Sequence, residues 1–548
     1  MCLVLAWLIP NHYPPWTSFY NESFSALGLC LLVLALGRAW TNIRLPTPVP
    51  ALLMVAAIPG VQFSMGLLAF SSDAWMSALF ISGFAIAIAA GFVWARRDTA
   101  GTATMQLSIV ALVGALISSV IATVQGFQLS GLGIWALDGV PGMRPYANLG
   151  QPNNLATLLG LGVAGLIYLR EQRRLGNVSS GLFLCLLLTA GTMSQSRTAL
   201  LFGPLILACL WIAKQREISC QLRSLTVISV IGIQWIFFWV WPRLLEALFL
   251  APSASLDERG LESVRFQVWP MLLDSVSLAP WHGFGWLQVG AAELAVAHRY
   301  PPVGELWLHG HNLFIELFVW GGYPLGAALS SLIIYWYLSR LTRARSIESI
   351  IAIMAVSMFG VHAMLELPHH YAYFLIPIGL WIGVLEASNN SRQLLSARWI
   401  AIPGVACVTL VVAIWWNYSS LEEDFRTVRF EALRVQSNET PHTLSTRPFV
   451  SSLEAYLRAS RTVVQAGMSD ADLAQLRVEL LRYPYAGSMA RFSFALALNG
   501  HLDEALLIMA KLRTIHGIRV YAQVKRDLSQ RIEAGQTGLV NLRQALSD

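Results

Sequence analysis

Charge is scarce in this chain: 12% of its 548 residues are Asp, Glu, Lys or Arg, against 55% hydrophobic, and mean hydropathy is +0.56. A water-facing surface around a chain of this size needs far more charge, so a soluble globular protein is excluded. Cysteine is scarce as well. Of six, Cys2, Cys30, Cys185, Cys209 and Cys407 sit in apolar runs and Cys220 in a basic loop, which leaves the long polar segments without thiols for disulfides or Cys-ligated metal. No Trp-Trp-Asp motif occurs, and Asp73 and Asp138 stand alone.

Long apolar runs are what the chain has in excess. Stretches approaching the ~20 residues needed to cross a bilayer recur at 24–37, 49–70, 75–95, 105–126, 153–169, 178–192, 199–213, 224–241, 312–338, 348–366, 372–388 and 399–416. The expected fold is an all-α polytopic integral membrane protein with about 12–13 crossings. Basic residues set its orientation, because positively charged short loops stay in the cytoplasm. Loops 38–48, 96–104, 170–178, 214–223, 339–347 and 389–398 hold fifteen Lys or Arg, and the short loops alternating with them only Arg144 and Arg197. The long loop 242–310 and the tail from 417 onward are therefore expected outside. The net charge of +6 reflects this topology and calls for no nucleic acid. Met1–Ile9 is apolar but too short to span, and parity makes it the outer end of an inward-starting helix, suggesting a truncated or misplaced start. It leads into Asn11-His-Tyr-Pro-Pro-Trp16, an interfacial aromatic segment.

The expected parts are a membrane domain, 1–416, including the loop 242–310, and a soluble helical domain, 417–548. Within the tail, Ala490–Leu506 alternates small and large apolar residues around Asn-Gly and resembles one tetratricopeptide-type hairpin.

Polar clusters gather at outer helix ends. Met143-Arg-Pro-Tyr-Ala-Asn-Leu-Gly-Gln-Pro-Asn-Asn154 runs into a helix. Pro152 and the flanking amides suit an ordinary helix start; Arg144 beside Tyr146 and Gln151 also suits an anionic sugar-phosphate. Gly191-Thr-Met-Ser-Gln-Ser-Arg197 places Arg197 among hydroxyls, where simple snorkelling competes with an anionic partner. In the long loop, Leu261–Trp269 reads as a short amphipathic helix carrying Arg265 and stopped by Pro270; Trp281-His-Gly-Phe-Gly-Trp286 is a glycine-hinged turn. His282 and His298 read as structural. Leu308-His-Gly-His-Asn-Leu-Phe-Ile-Glu316 joins loop to helix, and Glu366-Leu-Pro-His-His-Tyr-Ala-Tyr373 closes another outer end.

Arginines bind diphosphate bidentately and stay charged. A histidine titrating near neutrality can deprotonate a hydroxyl. Together they describe a transferase in which an acceptor hydroxyl attacks and a lipid diphosphate leaves.

The segments Arg144–Asn154, His309–Leu317 with Trp320-Gly-Gly322, and Asn11–Trp16 resemble the PglL-type O-oligosaccharyltransferases of Gram-negative bacteria, within the superfamily of O-antigen ligases and polymerases. The resemblance extends over the whole chain. It implies a GT-C-like membrane domain and metal-independent, cofactor-free transfer of a preassembled glycan from undecaprenyl diphosphate. The implied acceptor is Ser or Thr of periplasmic proteins, often type IV pilin, at an inner-membrane site facing the periplasm. By motif match it implies His311 as the essential histidine and general base, with Gln151, Tyr371 and Tyr373 in the active site beside Asn312 and His309. Arg144, Arg197 and Arg265 are the candidates for the diphosphate, and direct displacement would invert the anomeric centre. The incomplete first helix departs from the family pattern. An O-antigen ligase acting on lipid A core is the nearest alternative, then a polymerase. A transporter of the lipid-linked glycan is disfavoured, because its ionisable groups would lie near the bilayer midplane rather than at outer helix ends.

Overall fold

The computed structural model describes residues 1–129, 131–137, 139–252, 264–389, 393–396, 398–432 and 447–546. Asp138, Leu261–Ser263 and Arg392 lie outside them. Helix dominates, as expected, and each of the twelve apolar runs falls on a helix. Among the described residues seven helices are long and apolar enough to cross a membrane: Phe19–Trp40, Ser71–Asp98, Ala100–Gly126, Pro152–Glu171, Arg197–Gln215, Ser224–Ala247 and Leu313–Arg343. Pro48–Ser64, Asn177–Met193, Ile347–Ala363 and Ala372–Ser388 are shorter apolar helices. At 17 residues each and about 1.5 Å per residue they reach the lower end of the spanning range. The chain is a multi-pass membrane protein.

Two compact units emerge, neither continuous in sequence. The first takes in 1–56, 79–261 and 333–415. Its helices pack through small residues, which let backbones approach where lipid gives no hydrophobic drive between helices. A side chain at Gly165 would strike the Ser108 carbonyl at 2.6 Å, and one at Gly383 would strike the backbone of Ile88 and Phe92. The short helix Cys2–Leu8 belongs here too: the Trp7 indole fills the space left by Gly114 and donates to the Tyr373 carbonyl at 2.9 Å. Two loops expected on the cytoplasmic side join in a two-stranded antiparallel ribbon, Arg44–Pro46 with Gln393–Ser396.

The second unit takes in 57–78, 262–332 and 416–548. Helices Ser451–Arg461, Asp470–Arg482, Ala486–Leu498 and Leu502–Glu533 build the tail, and Ala486–Leu498 turns into Leu502–Glu533 at Gly500, φ +88°. Their apolar faces close over Met489, Phe492, Phe494, Met509 and Leu512, together with Leu294 and Ala297 from the long loop. The change of composition after Trp416 falls inside one helix, Arg398–Ala432. The Asp-x-Asp sequence Asp470–Asp472 is spent on helix capping: Ser469 and Asp472 form a reciprocal capping box.

Pro270 corrects the sequence reading. It does not end the loop helix; Arg265–Val276 passes through it. The lost backbone bond is outweighed by burial of Val268, Met271, Leu272 and Val276 along the face that packs inside this unit.

Candidate active site

In the second unit, the loop-to-helix junction is built around Gly310. Its N–H donates to Glu316 Oε1 at 2.7 Å, and its carbonyl accepts from Trp269 Nε1 at 2.9 Å. Asn312 Oδ1 caps the helix Leu313–Arg343 by accepting from the N–H groups of Phe314 at 3.0 Å and Ile315 at 3.3 Å. Between them His311 adopts φ +49°, a left-handed conformation that a residue with a Cβ avoids unless its surroundings impose it. The His311 ring meets the Trp307 ring edge-on at 4.5 Å. The Trp307 backbone is held by its main-chain N–H, which donates to the buried Glu293 side chain at 2.9 Å. A ring nitrogen of His309 and a carboxylate oxygen of Glu316 lie within 4.8 Å. Arg265 stands four residues before Trp269 on one helix, hence on the face that reaches the His309–His311 turn.

The Trp320-Gly-Gly322 motif has a backbone explanation. Gly322 breaks its helix at φ +69°, ψ −172°. The break receives the glycine-hinged turn: Phe284 N–H donates to the Val319 carbonyl and Tyr323 N–H to the Pro280 carbonyl, each at 2.8 Å. A Cβ at Gly322 would lie 2.5 Å from Pro280 O, and one at Gly283 2.5 Å from Val319 O. Gln62 fastens the same region, accepting from Trp286 N–H at 2.9 Å and donating to the Trp320 carbonyl at 2.7 Å. His282 Nδ1 lies 2.7 Å from the carbonyl of its neighbour Gly283, and His298 is exposed.

In the first unit, a second cluster joins three helix ends. The helix-start reading of Gln151-Pro-Asn-Asn is only half right. Gln151 occupies the N-cap position of Pro152–Glu171 but its side chain makes no capping bond. The asparagines reach elsewhere: Asn153 Nδ2 donates to Glu366 Oε1 at 2.7 Å while its Oδ1 accepts from Ser196 Oγ at 2.7 Å. Asn154 Nδ2 donates to the Tyr373 hydroxyl at 3.1 Å. One turn on, Thr157 Oγ1 and His362 Nδ1 are 2.7 Å apart. Arg144 Nε donates to the Ser194 carbonyl at 2.9 Å, which brings Arg144 to the segment ending in Arg197, the exposed first residue of Arg197–Gln215. Tyr371 and Tyr373 stack with ring centroids 5.0 Å apart. Burial drives the Tyr371 phenol upward, and the carboxylates of Glu22 and Glu366 push the same way, so it remains a hydroxyl donor rather than a base.

The Asn11–Trp16 segment joins this cluster through His12, whose Nε2 lies 2.9 Å from the Asn148 carbonyl and whose ring covers Gly150. Asn148 in turn holds the carbonyls of Leu8 and Trp135. Arg144, Gln151, Arg197, Tyr371 and Tyr373 thus belong to one unit; Arg265, His309, His311 and Asn312 belong to the other. Sequence reasoning assigned no role to Glu316, Glu366, Asn153, Ser196, Glu293 or Trp269. The first two are singled out only in the structure, each as a buried carboxyl beside a motif histidine or asparagine.

Three stretches match known families: 145–169 match protein glycosylation ligase, 180–330 match O-antigen ligase, and 350–530 match the C-terminal part of a virulence factor membrane-bound polymerase. A general O-oligosaccharyltransferase of Acinetobacter baylyi is 31% identical over 451 residues, which is 79% of this chain and 76% of that protein. The chain belongs to the O-oligosaccharyltransferase family. A second relative, a ComP-specific O-oligosaccharyltransferase of the same organism, is 28% identical over 416 residues, 75% of each chain. Most of the candidate positions fall inside the matched stretches: Gln151 lies in the first, Arg197, Arg265, His309, His311 and Asn312 in the second, and Tyr371 and Tyr373 in the third. The chain is a glycosyltransferase of the oligosaccharyltransferase kind.

Proposed function

We propose that this protein transfers a preassembled glycan en bloc from undecaprenyl diphosphate to a Ser or Thr hydroxyl of periplasmic or pilin-like proteins, working in the inner membrane with its site toward the periplasm. The observation that carries the reading is the His309–Asn312 junction, where His311 is held at φ +49° by fixed neighbours. His311 accepts the proton of the acceptor hydroxyl, and that oxygen forms a bond to the anomeric carbon. The bond from that carbon to the diphosphate oxygen breaks, its electron pair leaving with the lipid diphosphate, and the anomeric centre inverts. Arg144, Arg197 and Arg265 neutralise the diphosphate as it departs. Tyr371 serves as a hydroxyl donor, Gln151 as an amide partner, and Tyr373, Asn312 and His309 support the residues around them. No metal ion takes part, so EDTA leaves transfer unchanged.

The relatives' names support a protein acceptor and differ in breadth, one general and one ComP-specific. The O-antigen ligase match over 180–330 favours a second reading, transfer to lipid A core. Intact-mass analysis of a candidate acceptor coexpressed with this protein and a lipid-linked glycan separates them: a glycan-sized gain on the protein supports the first, and a glycan found only on lipopolysaccharide supports the second. In the same assay His311→Ala abolishes transfer while membrane insertion persists, and wild-type transfer by that variant removes the base assignment.

A further inference from the structure

Glu316 has no exposed surface, and its carboxylate turns back from the first turn of Leu313–Arg343 to the loop before it. That direction is the one helical side chains take, toward the N-terminus of their helix. There Oε1 accepts the Gly310 N–H at 2.7 Å, and Glu316 Cγ lies close enough that a Cβ at Gly310 would sit 3.0 Å from it. Gly310 therefore separates His309 from His311 with its N–H fixed by Glu316 and its carbonyl fixed by Trp269. The carbonyl belongs to the same peptide plane as the His311 N–H. With that plane held and Asn312 committed to the helix start, His311 has little freedom left except its own side-chain torsions, and its left-handed backbone is sustained. The same carboxylate comes within 4.8 Å of a His309 ring nitrogen.

We propose that Glu316 is a positioning residue: its carboxylate fixes the His309–Gly310 peptide through the Gly310 N–H and, with Trp269 holding the next peptide, sets the Gly310 backbone and thereby the direction from which His311 takes its proton. This rests on the reading of His311 as the general base. Glu316 acts through His311 and does not touch the reacting atoms. A misplacement of about 1 Å at a reacting group costs on the order of 10²-fold in rate, whereas substrate binding away from that group is untouched.

The test compares Glu316→Ala, Glu316→Gln and His311→Ala, purified at full length in detergent and checked by size exclusion and thermal unfolding, with an acceptor protein and a lipid-linked glycan donor. Glutamine keeps an oxygen where the Gly310 N–H points; alanine does not. The expected result is a fall in kcat of about a hundredfold in Glu316→Ala with KM for the donor unchanged, and recovery to within about tenfold of wild type in Glu316→Gln. The proposal is overturned by a Glu316→Ala protein with near wild-type kcat, by a change confined to KM, by a glutamine variant as poor as the alanine one, or by failure of both variants to accumulate folded. Activity in His311→Ala instead overturns the base reading itself, so the two failures are distinguishable.

Discussion

Asn153 donates to Glu366 at 2.7 Å through one end of its amide and accepts from Ser196 at 2.7 Å through the other. One side chain thereby joins three helix ends that lie far apart in sequence. Ser196 is fully buried and Glu366 nearly so. Removing the amide takes a designed partner from two buried polar groups, which costs about 1–3 kcal/mol for each group left unsatisfied. Asn153→Ala is expected to lower the thermal unfolding temperature in detergent and to reduce transfer. Asn153→Asp, which keeps an acceptor for Ser196 but sets a carboxylate against Glu366, is expected to be worse than alanine. Equal unfolding temperatures for wild type and both variants would show that the bridge carries no stability.

The Gly322 kink leads to a sharper contrast. A Cβ there meets the Pro280 carbonyl at 2.5 Å and the φ of +69° disfavours any L side chain, so Gly322→Ala combines overpacking with backbone strain. Each is worth about 1–3 kcal/mol. Gly181, inside Asn177–Met193 with nothing within 4 Å of its added Cβ, is the control. There alanine is expected to be neutral or slightly stabilising, by up to about 1 kcal/mol. Thermal unfolding of the two variants side by side checks this, and equal losses would mean that the close approach is not what requires glycine at 322.

How much of this was legible beforehand divides along physical lines. Apolar runs were legible because a bilayer demands roughly 20 of them in a row, and the His309–Asn312 junction was legible because its polar groups break such a run. The pairing of distant segments was not. Asp73 meets Arg482 across 409 positions, and no local periodicity encodes that. Glu316 and Glu366 drew no role of their own from the sequence, since burial is invisible there. Pro270 reads as a stop because its lost hydrogen bond is a local fact, while the buried face that keeps the helix going is a tertiary one.

Glu293 predicts a dependence on pH. Burial raises its carboxyl from 4.5 to about 8, opposed by the hydrogen bond from Trp307 N–H and reinforced by Glu305. The folded protein then holds a proton that the unfolded chain releases near 4.5, so this contribution to stability is complete below that pH and is lost as pH rises through about 8. Glu479, raised to about 7 by burial, acts in the same sense. Wild-type unfolding temperature is therefore expected to decline between pH 5 and pH 8 by more than that of Glu293→Gln, which cannot ionise. Identical slopes for the two proteins would remove Glu293 from the account.

The Asp73–Arg482 pair bears on how the second unit holds together. Nε and Oδ2 are 2.8 Å apart with both side chains largely buried, and Arg482 also lies over the Tyr483 ring at 4.8 Å. Ser72 and Ser452 add hydrogen bonds between the same two segments. Breaking a buried pair from one side leaves an uncompensated charge, at about 3–5 kcal/mol. Replacing both partners by neutral groups avoids that penalty. Arg482→Met and Asp73→Asn are each expected to lower the unfolding temperature and to expose the tail to limited proteolysis, while the double variant recovers part of the loss. The coupling from the double-mutant cycle is the decisive quantity. If the two losses simply add, the tail is held by its apolar core and the serine bonds, and the ion pair is incidental to the unit's stability.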